Sequence, residues 1–192
     1  MGRWRRLIVV VATGAAVGAG CAGDASPTVP ARTYPGLQAG GTVRLEIDAL
    51  AEDAVQPEAL RALLDRAGLE GAVERTFVGS EALRSVTARI VDFTSERGAR
   101  EYLGWLEEHA ADLLGESVEE AGIDLANGAS ASAFTAVPGG CCPKAMTTSL
   151  AVWQRGTRVL TVLAVGGDAD ASGLAALARD LDDAAGVTTQ ET

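Results

Sequence analysis

Two apolar runs, Thr147–Gln154 and Thr157–Val165, are rich in Val, Leu and Thr and flank the dipeptide Arg155-Gly156. β-Branched side chains on either side of a short glycine-containing turn predict an antiparallel hairpin. A lone hairpin is at best marginally stable in water, so the rest of the chain has to supply more strands or a covering layer. Val73–Val78 and Val86–Phe93 predict a second strand pair around Gly79-Ser80-Glu81, although that connection could also hold a helical turn. Val43, Leu45 and Ile47 alternate with Arg44, Glu46 and Asp48, which predicts a first strand over 42–49 with one dry face and one wet face. Ala131–Val137 predicts another strand before the break at Pro138-Gly139-Gly140-Cys141-Cys142-Pro143.

Between these strands lie segments of helical period. Pro57 suits a first helical turn, Leu60, Leu63, Leu64 and Ala67 recur on one face, and Gly68 follows as a stop. Ser95 can cap the longest helix, whose stripe runs through Ala99, Tyr102, Leu103, Leu106, Ala110, Leu113 and Leu114. Ser117 and Glu120 have capping-box spacing for a short helix that Gly122 would end. A last helix over 172–185 places Leu174, Leu177, Ala178 and Leu181 together. The expected fold is α+β: a mostly antiparallel sheet of about six strands, with about three helices packed on one face, in a single domain over 42–192. A strand–helix pattern occurs twice in the first half, without a residue-by-residue repeat.

The first 21 residues have a different character. Arg3, Arg5 and Arg6 precede the apolar stretch Leu7–Val11, and small residues lead to Val17-Gly18-Ala19-Gly20-Cys21. That order is the charged, apolar and cleavage region of an export signal. The 14 residues from Leu7 to Gly20 fall short of the roughly 20 needed to span a bilayer. Ala19-Gly20-Cys21 resembles the lipobox of bacterial lipoproteins, although Gly18 stands where that family most often has Leu. The resemblance implies cleavage after residue 20, a diacylglyceryl group on the Cys21 thiol, and attachment to the outer face of the cell membrane. Two acyl chains suffice for stable anchoring. Residues 22–41 are rich in Gly, Pro, Ser, Thr and Ala and predict a tether, about 25 Å long on a root-mean-square basis if flexible. Lys144 is the only lysine beside fifteen arginines, a usage similar to that of high-GC bacteria such as actinobacteria. The runs Val91–Ala99 with Tyr102 and Leu103, and Val152–Val159, are loosely similar to uncharacterised secreted domains of actinobacterial lipoproteins. That likeness supplies no functional residue.

Removing residues 1–20 deletes three of 16 basic residues and none of 26 acidic ones, leaving a net charge of −13. This argues against a nucleic-acid partner and against electrostatic attachment to anionic lipid. Few aromatic residues remain to stack sugars or bases. Ser130, in Gly128-Ala129-Ser130-Ala131-Ser132, lacks the final glycine of a hydrolase elbow. His109, the only histidine, has no second histidine at zinc-protease spacing and lies off the apolar stripe, so a surface role is expected. Lys144 lacks the glycine frame of a phosphate loop. Glu116, Glu119, Glu120 and Asp124, and separately Asp168 and Asp170, could offer oxygens to calcium, but neither group fits the twelve-residue calcium loop. Charge that keeps loops solvated is the simpler reading.

Cys141 and Cys142 would be the only thiols left outside the membrane once Cys21 carries lipid. They could form a vicinal disulfide, which is strained because adjacent Cα atoms lie about 3.8 Å apart. They could instead pair with other chains, or hold a soft metal with Met146. The sequence therefore predicts a non-enzymatic envelope lipoprotein, without cofactor or resident metal, whose domain binds another envelope protein or a small molecule. The alternatives are a carrier with an apolar pocket, a hydrolase using paired carboxylates, and a redox or metal role for the Cys141-Cys142 loop.

Overall fold

The computed structural model describes residues 27–136 and 146–187, except Asp53, Glu81 and Glu116. In chain order the elements are β1 (Gln38–Leu45), α1 (Ile47–Ala51), α2 (Pro57–Ala67), β2 (Leu69–Val78), β3 (Ser85–Phe93), α3 (Glu96–Glu108), α4 (Ala110–Leu114), β4 (Val118–Asp124), β5 (Ser130–Ala136), β6 (Thr147–Arg155), β7 (Arg158–Gly166) and α5 (Ala171–Val187). The strands form one sheet in the order β1-β2-β3-β7-β6-β5-β4, with every neighbouring pair antiparallel. Both expected hairpins form, with Val86 opposite Phe77 and Leu160 opposite Trp153.

The expectation of six strands under three helices on one face is corrected: among the described residues there are seven strands and five helices, and the helices cover both faces. Alternate strand residues enter two separate cores. Phe77, Val86, Ile90, Trp153 and Leu160 face α5 through Leu174, Ala178 and Leu181. Val91, Phe93, Val152 and Val159 face α1 to α4 through Leu50, Leu60, Leu64, Tyr102, Trp105 and Leu114. Two-sided burial explains why β6 and β7 read as nearly continuous apolar runs; Ser149–Trp153 and Val159–Val162 are buried throughout.

Local chemistry accounts for the helix ends. Pro57 occupies the first turn of α2, and Gly68 ends it in the left-handed region at φ 75°. The Ser95 hydroxyl accepts from the Gly98 amide, as expected of a cap. Gly98 also lets α3 approach α2 closely, because a Cβ there would lie 2.0 Å from the Ala67 carbonyl oxygen. The stripe expected to run unbroken to Leu114 is split at His109, whose φ of −105° and ψ of 12° leave helical geometry before α4 begins. The short helix expected at Ser117 is instead β4, since Val118–Asp124 pairs along its length with β5. The sheet ladder overrides the capping pattern.

The first strand runs over Gln38–Leu45 rather than 42–49, and Ile47 begins α1. Gly40 and Gly41 sit where the β1–β2 register shifts; a Cβ on Gly40 would lie 2.9 Å from the Thr76 carbonyl oxygen. The tether expected to end at residue 41 is likewise shortened, because Val29 and Tyr34 are buried in the α5-side core. The Tyr34 ring meets Phe77 edge-on, with centroids 4.7 Å apart. Thr33 donates to the Pro30 carbonyl from both its amide, at 3.2 Å, and its hydroxyl, at 2.7 Å. Pro- and Thr-rich composition suggests a spacer, whereas these contacts make residues 29–37 a strap docked on the α5-side core.

Candidate functional site

The least exposed charges are paired with partners of opposite sign. Glu74 and Arg89 face each other across β2 and β3, with Arg89 Nη2 2.6 Å from Glu74 Oε2. Tyr102 of α3 joins this pair: burial pushes its phenol above the ordinary value, and Arg89 pulls part of the way back. Asp92 accepts from Arg158 at 2.9 Å. Burial raises its carboxyl, with the guanidinium acting in the opposite sense. Asp182 of α5 accepts from Trp153 Nε1 at 3.0 Å and Arg155 Nε at 2.7 Å, with a further contact from Arg155 Nη2. Arg155 Nη2 also donates to the Ala126 carbonyl at 2.9 Å. The first two pairs tie neighbouring strands, the third ties β6 to α5, and the three do not converge on a cleft.

The outer surface carries two more open arrangements. Where α2 ends and α3 begins, Arg66, Ala67, Ser95, Arg97, Gly98 and Glu101 line a concavity of about 320 Å³. Arg97 Nε lies 3.0 Å and Arg66 Nε 3.6 Å from the Glu101 carboxylate. Two guanidiniums around one acid leave a local positive excess on an acidic chain, suited to a carboxylate or phosphate. Because Arg97 is 89% exposed, solvent weakens any such contact. At the other end of α3 the His109 ring stacks on Trp105, with centroids 4.5 Å apart. His109 Nδ1–H donates to the Trp105 carbonyl at 2.9 Å, leaving Nε2 facing the Gln56 amide at 3.5 Å. Both ring nitrogens thus have local partners, consistent with the expected surface role. Ser132 donates to Glu107 at 2.6 Å, tying β5 to α3.

Cys21, Cys141 and Cys142 lie outside the described residues, as do Lys144 and Glu116. Met146 stands exposed just before β6. Glu119, Glu120 and Asp124 lie on the exposed edge strand β4. Asp170 caps α5, accepting from the Gly173 amide at 2.9 Å and from Ser172 through its amide, at 3.0 Å, and its hydroxyl, at 2.9 Å. The bond from Gly173 leads in holding its carboxyl below the ordinary range. Among the described residues no three His, Cys, Asp or Glu side chains are grouped to hold a metal ion. Also among them, no helix is long and apolar enough to cross a membrane.

Sequence reasoning missed the concavity, whose lining residues are scattered between 66 and 101, and the Trp153-Arg155-Asp182 clamp. The only available signal for the clamp was an acid among apolar positions of the last helix.

The fold thus defines a class: one antiparallel sheet of seven strands enclosed by helices on both faces. No protein-family model matches the chain, and no curated protein matches it. Among solved structures, the extracellular domain of PknH from Mycobacterium tuberculosis is similar, with 13% identity and a TM-score of 0.45 over 77% of this chain and 84% of that one. A likeness at that level carries no argument about function.

Proposed function

We propose that this chain is an exported lipoprotein, attached to the outer face of the cell membrane through Cys21, whose folded domain recognises a partner through its surface without catalysing a reaction. The signal-like order of residues 1–21 supports the attachment. One structural observation carries the recognition reading: Glu74, Asp92 and Asp182 each face an arginine, and large side chains fill the space on both sides of the sheet. A carrier would need an apolar cavity where Trp153, Phe77 and Leu181, or Phe93, Tyr102 and Leu64, now pack. A two-acid hydrolase needs carboxylates that converge in different environments, whereas these three act in separate ion pairs.

Intact mass of the membrane-extracted chain tests the attachment. The expected product lacks residues 1–20 and carries a diacylglyceryl group, and Cys21→Ala abolishes it; an unmodified cysteine in the wild type overturns the reading. Photo-crosslinking from position 97, beside the concavity, and from Glu119 on β4 tests recognition. One defined adduct confined to one position supports it. Turnover of a small substrate by the purified chain overturns the non-enzymatic reading.

A further inference from the structure

We infer that the folded domain is kept within about 28 Å of the surface of its own membrane, on a leash set by the chain between Cys21 and Val29. The inference rests on the proposed lipidation of Cys21 and adds what the strap contributes. Val29 has no exposed surface, and Tyr34, five residues on, is 2% exposed against Phe77. The Thr33 bonds to Pro30 close the turn between them. The chain cannot be drawn out beyond Val29 without carrying core side chains into water. Eight residue steps separate Val29 from Cys21, and a fully extended chain covers about 3.5 Å per step, so the reach is at most about 28 Å whatever the conformation of the intervening residues.

A domain of this size has a radius of gyration of about 15 Å and hence a diameter near 40 Å. The leash is therefore shorter than the domain it holds. A partner as large as this domain cannot fit between it and the lipid at the point of attachment. The acidic surface does not favour adhesion to anionic lipid, and its repulsion falls off within a Debye length of about 8 Å at physiological salt. Proximity is thus imposed by covalent geometry and by the docked strap.

Energy transfer tests this on the full lipidated chain in vesicles, with a donor dye installed by an unnatural amino acid at the exposed position 43 and an acceptor on the lipid headgroups. A 20-residue Gly/Ser insertion between Asp24 and Ala25 lengthens the leash from eight to 28 steps and about doubles its root-mean-square span. Transfer is expected to be strong in the native chain and clearly lower after insertion. Val29→Asp with Tyr34→Asp, which undocks the strap, is expected to lower it without any insertion. If that variant fails to fold, the insertion alone decides, because it touches none of the described contacts. Equal transfer with and without the insertion, in a chain whose Cys21 carries lipid by intact mass, overturns this inference and leaves the lipoprotein reading standing. Absence of lipid on Cys21 overturns both.

Discussion

Asp182→Ala should be among the most damaging single substitutions on the α5 side of the domain, because one carboxylate serves three donors there. The Asp182 side chain is 4% exposed, and its loss leaves the Trp153 indole N–H, buried under α5, without an acceptor. An unsatisfied buried donor costs about 1–3 kcal/mol. The Arg155 part of the loss is smaller. That side chain is 31% exposed, can rehydrate, and keeps the Ala126 carbonyl, so its share is about 1 kcal/mol. The sum of about 2–4 kcal/mol corresponds to a fall in Tm of roughly 4–16 °C for a domain of this length. Asp182→Asn retains an oxygen for the indole N–H while losing the ion pair, and should cost about half as much. Urea unfolding followed by far-UV circular dichroism, with matched thermal scans, measures both variants, and fluorescence in a Trp105→Phe background reports the surroundings of Trp153. Loss of less than about 0.5 kcal/mol in the alanine variant, or equal damage from asparagine and alanine, would refute the argument that the indole acceptor dominates.

Tyr34→Phe should be neutral or stabilising by up to about 1 kcal/mol, since the buried Tyr34 hydroxyl has no hydrogen-bond partner among the described residues; a clear loss in denaturant titration would reveal a partner. Gly98→Ala should destabilise by about 2–3 kcal/mol, because the added methyl would meet the Ala67 carbonyl oxygen at 2.0 Å. Amide exchange in α2 and α3 should accelerate with it. A chain beginning at Gln38, which keeps all of β1, should lose about 3–6 kcal/mol through removal of Val29 and Tyr34 and bind hydrophobic dyes, whereas one beginning at residue 27 should not. Burial raises the Asp92 carboxyl above its ordinary value of 3.8, so the folded state holds that proton more tightly than the unfolded state. Its contribution is therefore greatest below the ordinary value and declines as pH rises through the raised one. The stability of the wild type relative to Asp92→Asn should accordingly be greater at about pH 3 than at about pH 7, as paired urea titrations would show.

Local pattern in the sequence determined much of the secondary structure. The 147–166 hairpin, the Val73–Val78 and Val86–Phe93 strand pair, the helix between Pro57 and Gly68, the Ser95 cap and the last helix all rest on neighbours within a few residues, which propensity and periodicity register directly. Only the tertiary structure decided which surfaces these elements cover. Whether a run such as Ser149–Trp153 is buried on one face or two depends on where distant helices dock, and α5 lies on one side while α3 lies on the other. The same holds for Ser117–Glu120, where pairing with β5 outweighs a capping pattern, and for the strap, whose Val29 and Tyr34 follow no period and are buried in the core that Phe77 of β2 also enters. The candidate site was the least legible part, since Arg66 reaches Glu101, and Trp153 and Arg155 reach Asp182, from segments that meet only in space. Short-range stereochemistry sets which elements form, whereas burial, ion pairing and the length of the leash arise from contacts between residues far apart in the chain.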